Sequence, residues 1–108
     1  MILCFELTMP NRGSWNGRWS GEEDKHYIIR AYRSKADIEK YSQLDGKDFW
    51  HRWDDGWTAC ISCSIVDSKE AAKRRKQSKG FCGYDWMVQS ILSGNVDTHN
   101  SRIIHSDK

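Results

Sequence analysis

The turn sequence Asp54-Asp55-Gly56 separates two β-prone runs, residues 48–53 and 57–66, and it constrains the fold more than any other feature. A two-residue Asp-Gly loop would pair Trp53 with Thr58. A three-residue loop, with Gly56 in the left-handed conformation, would instead pair Trp53 with Trp57. Because a slip of one residue moves every side chain to the opposite face, only one of these registers can bury the apolar set.

The three-residue loop is the register that gathers the apolar side chains, and it also pairs Phe49 with Ile61 and His51 with Ala59. The apolar face is then formed by Phe49, Trp53, Trp57, Ala59, Ile61, Cys63 and Ile65. The opposite face carries Trp50, Arg52, Thr58, Cys60, Ser62 and Ser64. Trp50 therefore lies away from the predicted core, and its role stays open.

The other elements follow from alternation, capping and helical spacing. Strands are predicted at residues 2–8 and 26–33, and a short helix at about 35–42 after an N-cap at Ser34. A basic helix opens at Asp67 or Ser68 and stops at Gly80, and an apolar helix runs from Tyr84 to the stop signal at Gly94. We predict an α+β fold: a small antiparallel sheet of about four strands with one or two helices packed on one face.

The 108 residues allow a single domain, which we assign to residues 1–94, with a polar C-terminal tail at 95–108. No apolar run reaches the roughly 18 residues of a membrane span, and Glu6 interrupts the apolar N-terminus, so neither a span nor a signal peptide is expected. A cytoplasmic protein without membrane contact is the expectation.

The four cysteines include one Cys-x-x-Cys pair, Cys60 and Cys63. Zinc sites need this spacing in a turn, whereas here it falls inside a strand, where residues three apart point to opposite faces. The histidines are scattered, so we predict free thiols, no metal and no cofactor. No base–nucleophile pair can be argued from spacing, and we therefore predict a non-enzymatic protein.

Positive charge is concentrated in one segment, although the net charge of the chain is only +2. Between residues 68 and 79 a single acid, Glu70, accompanies six cations: Lys69, Lys73, Arg74, Arg75, Lys76 and Lys79. Such a run is either a solvated helix surface or a basic surface that contacts the phosphates of nucleic acid or of a nucleotide.

Residues 12–21 form a glycine-rich loop that interleaves aromatic and cationic side chains. Its candidate ligand-binding residues are Arg12, Trp15, Asn16, Arg18, Trp19 and Ser20. Arg pairs with phosphate in a bidentate manner, and Trp stacks on a base. The alternative is a loop that the two tryptophans pin to the core, since long loops in small domains are either functional or loose.

A second cluster, residues 80–86, joins the basic helix to the apolar one. Asp85 falls in the first turn of the apolar helix, where a carboxylate suits the helix dipole. Trp86 lies to the side of the apolar stripe. The cluster is either a packed corner between helices or, through Asp85 and Trp86, part of a pocket shared with the glycine-rich loop.

Four segments, residues 9–11, 14–21, 55–57 and 80–87, together resemble a family of short, uncharacterised phage-encoded proteins with SWNGRWSG and GFCGYDWM motifs. The resemblance covers about residues 3–94. It implies a phage setting, in which small proteins of this size often act against bacterial defence. It implies no catalytic residue.

These observations lead to one main hypothesis and two alternatives. The main hypothesis is a phage-type binding protein that sequesters an anionic, nucleotide-derived ligand at the glycine-rich loop, with Asp85 and Trp86 completing the pocket. The first alternative is an inhibitor of a host defence component that binds protein or nucleic acid through the basic helix 68–79. The second is a small nuclease or phosphodiesterase. Exposed tryptophans on a thin core also predict a homo-oligomer.

Overall fold

The structure is a computed structural model that describes residues 1–10, 23–53, 58–78, 83–97 and 102–103. Its strands are β1 (Ile2–Pro10), β2 (Glu23–Ala31), β3 (Asp48–Arg52), β4 (Thr58–Val66), β5 (Val96–Asp97) and β6 (Arg102–Ile103). Its helices are α1 (Lys35–Tyr41), continued by a 3-10 turn (Ser42–Leu44), α2 (Ser68–Gln77) and α3 (Asp85–Leu92). The α+β class is confirmed.

The sheet has six strands in the order β2-β1-β4-β3-β6-β5, so the prediction of about four antiparallel strands was wrong. The four predicted strands pair antiparallel, whereas β6 joins β3 in parallel where Trp50 meets Arg102. Both additional strands come from the segment for which the sequence predicted a polar tail. Strands of two residues carry no alternation to detect, yet Ile103 of β6 is only 3% exposed.

The β3–β4 register is the one predicted from burial of the apolar face. Phe49 pairs with Ile61, and His51 pairs with Ala59. These four residues are all buried. Ile65, also predicted on this face, is 41% exposed at the far end of the sheet. The predicted partner Trp57 and the turn itself lie outside the described residues.

The two long helices pack on opposite faces of the sheet, so the prediction that the helices share one face was wrong. The apolar stripe of α3, which consists of Met87, Val88 and Ile91, belongs to the core with Leu3, Phe5 and Leu7 of β1. We call this side the α3 face. Helix α2 packs on β1 and β2 from the other side, which we call the α2 face.

The two faces differ in chemistry because alternate residues of each strand point to opposite sides. On the α2 face, β1 presents Ile2, Cys4, Glu6 and Thr8, a more polar set than Leu3, Phe5 and Leu7 on the other face. A helix of low hydrophobicity with one buried alanine, Ala71, suits this polar surface. After α2, Ser78 meets the outer edge of β2, where its Oγ accepts a hydrogen bond of 3.3 Å from the Tyr27 amide.

The predicted N-caps at Ser34 and Asp67 and the predicted stop at Gly94 are confirmed; α2 ends at Gln77, and the predicted stop at Gly80 lies outside the described residues. The Ser34 Oγ accepts a hydrogen bond from the Asp37 amide at 3.1 Å, and an Asp67 carboxylate oxygen accepts one from the Glu70 amide at 2.7 Å. Gly94 follows α3 with a φ of 78°, a left-handed conformation that glycine adopts without a Cβ clash. No helix in the described ranges combines the length and apolarity needed to cross a membrane.

Candidate functional site

The predicted binding residues of the glycine-rich loop, Arg12, Trp15, Asn16, Arg18, Trp19 and Ser20, lie outside the described residues, as does Lys79. The described candidates are Asp85 and Trp86 at the start of α3 and five cations of the basic segment. The structure places the two groups on opposite faces of the sheet, with α3 on one side and α2 on the other.

Asp85 and Trp86 both have protein partners on the α3 face. The exposed carboxylate of Asp85 forms an ion pair with the guanidinium of Arg30 on β2. Trp86 packs edge-to-face against the His51 ring, with 4.9 Å between ring centroids. Trp53 also packs edge-to-face against the His51 ring, with 4.8 Å between ring centroids. In the described part of the chain, Trp86 therefore contributes to packing around a buried histidine.

His51 is the residue that sequence reasoning passed over in this region. It is 1% exposed and lies at the centre of the aromatic contacts. The signal was available, because the predicted register pairs His51 with buried Ala59 and so places it on the apolar face. The predicted apolar face did not include His51, because histidine is a polar residue type.

The cations of α2 divide into an outward stripe and one inward side chain. Residues three, four and seven apart share one side of a helix. Lys69, Lys73 and Lys76 therefore form a stripe, and all three are exposed, as is the flanking Arg75. Arg74 points toward the sheet, where its side chain is 25% exposed.

Arg74 is held by two carboxylates, a thiol and an aromatic ring. Its Nε donates to Glu70 at 3.0 Å, and its Nη1 lies 3.9 Å from a Glu6 oxygen. The same Nη1 donates to the Cys4 Sγ at 3.5 Å, and the guanidinium carbon lies 5.5 Å from the Tyr27 ring centroid. Arg74 thus neutralises acids between α2 and the sheet, while its neighbours face solvent.

Beyond α2, a single row of residues crosses the α2 face from one edge of the sheet to the other. Consecutive partners in register are Lys25, Thr8, Cys60, Trp50, Arg102 and Asp97. Five strand spacings make this row about 24 Å long. Trp50 is 43% exposed, and Arg52, two residues further along β3, is on the same face and also exposed.

The sequence pattern alone assigns no role to Trp50. The alternation of β3 places Trp50 opposite the apolar residues, which was a usable signal that it is exposed. Arg102 could not be assigned, because it belongs to a two-residue strand in the predicted tail. The acids on this part of the face are Asp48, two residues before Trp50, and Asp97, the partner of Arg102.

The cysteines are free thiols in the described ranges, as predicted. Cys63 is buried on the α3 face, and burial, with a smaller contribution from Asp48, raises the pKa of its thiol to about 12. Burial also raises the pKa of Cys4, although the hydrogen bond from Arg74 opposes the shift. Among the described residues, no three His, Cys, Asp or Glu side chains converge as a metal site.

A cleft of about 380 Å³ lies at the far end of the sheet, between the 3-10 turn, the start of β3 and the end of α3. Phe49 and Ile91 contribute its apolar wall, while Lys47, Asp48 and Asp97 contribute charges of both signs. Mixed charge gives this cleft no clear preference for an anion. Asp85 and Trp86, the predicted ligand-binding residues that the structure describes, do not line it.

No family profile, curated protein or solved structure matches this chain.

Proposed function

We propose that this protein binds nucleic acid on the α2 face, with the outward cations of α2 contacting backbone phosphates. The observation that carries the proposal is the division of charge on α2. Lys69, Lys73 and Lys76 project outward, while the acid of the same helix, Glu70, is paired with Arg74. The outer surface of the helix is therefore a row of cations.

The spacing of this row suits a phosphate backbone. At a rise of 1.5 Å per residue, Lys69 and Lys76 lie about 10 Å apart along the helix axis. One DNA strand advances about 3.4 Å per nucleotide along its axis, so this length matches about three phosphates. Long, flexible lysine side chains reach phosphates without a fixed register, which suits sequence-independent binding.

The exposed arginines of the same face extend the positive surface beyond the helix. Arg52 and Arg102 lie on β3 and β6, beside the part of the sheet that α2 does not cover. Glu6, on β1 under α2, is within 3.9 Å of Arg74, and the acids near the two arginines in the described ranges are Asp48 and Asp97. The proposed interface therefore continues across the sheet.

The hypothesis of a nucleotide pocket at the glycine-rich loop stays a prediction. Its loop residues lie outside the described ranges, and Asp85 and Trp86 pair with Arg30 and His51. The described residues favour the nucleic-acid alternative. In the phage setting that the sequence resemblance implies, such binding without chemistry would serve to inhibit a nucleic-acid-guided defence system of the host.

The test is binding of a fluorescently labelled 12-nucleotide oligothymidylate, followed by anisotropy. We expect the triple variant Lys69→Gln, Lys73→Gln, Lys76→Gln to lose at least tenfold in affinity, on the order expected for three lost phosphate contacts. The matched control replaces three exposed lysines outside the α2 face, Lys35, Lys40 and Lys47, with Gln and should bind normally.

Two results would contradict the proposal. One is equal loss of affinity in both triple variants, which would show a dependence on net charge alone. The other is absence of oligonucleotide binding by the unaltered protein, and the next measurement is then thermal stabilisation by a mononucleotide or cyclic nucleotide. A bound ligand at a hundredfold excess over its Kd adds about 2.7 kcal/mol to the free energy of unfolding, and this result would return the function to the nucleotide-pocket hypothesis.

A further inference from the structure

Trp50 is a large aromatic side chain that the fold leaves open to solvent. Trp50 and Ile65 are the exposed large hydrophobic residues within the described ranges, and they lie on opposite faces of the sheet. Helix α2 packs over β1 and β2, so it does not reach β3, which is separated from β1 by β4. The Trp50 ring, which is 43% exposed, thus lies on a part of the sheet that α2 does not cover.

The neighbours of Trp50 on this face are cations toward β6 and the end of β3, uncharged residues on β4, and the acid Asp48 two residues earlier on β3. Arg102 is its partner on β6, and Cys60 is its partner on β4. Arg52 follows two residues later on the same face of β3, about 7 Å along the strand. Thr58, the partner of Arg52 on β4, adds a hydroxyl group.

From this arrangement we propose that Trp50 stacks on an unpaired base, and that Arg52 and Arg102 contact the phosphates on either side of it. The inference rests on the proposed nucleic-acid binding and specifies its substrate class as a single strand. Stacking on a tryptophan requires a base with an open face, and the bases inside a duplex are covered by their neighbours.

The acids of this surface define the path of the strand. Asp48 lies on the α2 face on one side of Trp50, and Arg52 lies on the other. Repulsion from Asp48 directs the phosphates to the Arg52 side. Asp97, beyond Arg102, marks where the positive surface ends. The nucleic-acid strand therefore runs from the part of the sheet under α2 across β4 and β3 toward β6.

The span fits a short oligonucleotide. From the β1–β2 region under α2 to β6 the distance is about three to four strand spacings, which is about 14–19 Å. The residues between, Thr8 and Cys60, are uncharged and present no barrier to a phosphate backbone. Single-strand sites of this kind cover about 4 to 16 nucleotides.

The experiment compares affinities for a 12-nucleotide single strand and for a 12-base-pair duplex, using Trp50→Ala, Trp50→Phe and Ile65→Ala. The unaltered protein should prefer the single strand. We expect Trp50→Ala to lose about tenfold in affinity for it, the order found for removal of one stacking partner, and Trp50→Phe to retain part of the affinity. Ile65→Ala, which removes an exposed hydrophobic residue from the opposite face, should bind like the unaltered protein.

The salt dependence separates stacking from charge. Trp50→Ala removes no cation, so the slope of log K against log salt should stay the same while the affinity falls. The variant Arg52→Gln, Arg102→Gln should instead lower the slope by about 1.4 for two phosphate contacts. A slope that falls with Trp50→Ala would contradict a stacking role.

The inference and the proposed function fail in different ways. If the unaltered protein binds no nucleic acid, both are wrong. If it binds through the α2 lysines but Trp50→Ala has normal affinity, or if the duplex binds as tightly, only the inference is wrong. The same holds if light scattering shows that Trp50→Ala dissociates a dimer without changing affinity, because Trp50 would then be a contact between two copies of the chain.

Discussion

Trp50 and Arg102 are direct neighbours on parallel strands, and their side chains project from the same face of the sheet. Their proximity depends on β6, a strand of two residues that is added to the edge of β3. The neighbour of an exposed aromatic residue thus comes from a segment far along the chain. Several consequences of this arrangement can be measured.

Adjacent arginines of α2 should have opposite roles. Arg74→Ala removes contacts to Glu70, Glu6 and Cys4 between the helix and the sheet. We expect it to lower the free energy of unfolding by about 1–2 kcal/mol, since the pairs are only partly exposed. Arg75→Ala, at an exposed position, should change it by less than about 0.5 kcal/mol. Urea denaturation of both variants measures this difference.

The same pair provides a second comparison in binding. Arg75→Ala should weaken oligonucleotide binding, because its cation faces outward, whereas folded Arg74→Ala should bind almost normally. Equal stability losses in the two variants, or a larger binding loss in Arg74→Ala, would contradict the assignment of Arg74 to the interface between α2 and the sheet.

Trp86 and Trp50 should differ in how much they contribute to the free energy of unfolding. Trp86 packs against buried His51, so Trp86→Ala should lower the free energy of unfolding by about 3 kcal/mol through loss of packing. Trp50→Ala should lower the free energy of unfolding by less than about 1 kcal/mol, because the Trp50 side chain is 43% exposed. Thermal denaturation followed by circular dichroism measures both. If the two variants are equally stable, the proposed packing role of Trp86 is wrong.

The C-terminal strands should contribute to stability despite their length. Ile103 is 3% exposed and packs in the core, so Ile103→Ala should cost about 2–4 kcal/mol. Ile65→Ala, the same substitution at a residue that is 41% exposed, should cost about 1 kcal/mol or less. If Ile103→Ala leaves the free energy of unfolding unchanged, β6 does not pack on the core in solution.

Cys63 should make stability depend on alkaline pH. The pKa of its thiol is raised by burial from 9.0 to about 12, so between these values the unfolded chain releases a proton that the folded chain keeps. The folded state binds more protons, and stability therefore falls as the pH rises from about 9 to 12. The slope is at most about 1.4 kcal/mol per pH unit for this one group.

The measurement is urea denaturation at pH 8 and at pH 10 for the unaltered protein and for Cys63→Ala. The other titrating groups are common to both proteins, so the difference between their pH dependences isolates the thiol. We expect the unaltered protein to lose more stability than Cys63→Ala over this interval. Equal losses would show that the Cys63 thiol is accessible to water in the folded state.

The sequence predicted the parts of the fold that local patterns determine. Phe49 and Ile61 could be paired because burial of one face permits only one register. The caps at Ser34 and Asp67 were predictable because a side-chain oxygen must satisfy a helix amide there. Each of these features depends on residues close together in the chain or on one strand pair.

The features that were missed depend on tertiary contacts. The side of the sheet that α2 occupies brings Arg74 to Glu6 and Cys4, residues that no local pattern connects. The strand at Arg102 is defined by its pairing with β3 rather than by its own composition. Trp50 could be placed opposite the apolar face, but its cationic neighbour on β6 could not be foreseen.

The most direct test of the account is the salt dependence of oligonucleotide binding by the unaltered protein and by the triple variant of Lys69, Lys73 and Lys76. We predict that log K falls linearly with log salt, and that the triple substitution lowers the slope by about 2, since each phosphate contact on a single strand contributes about 0.7. An unchanged slope in the triple variant would contradict the assignment of the α2 lysines to phosphate binding.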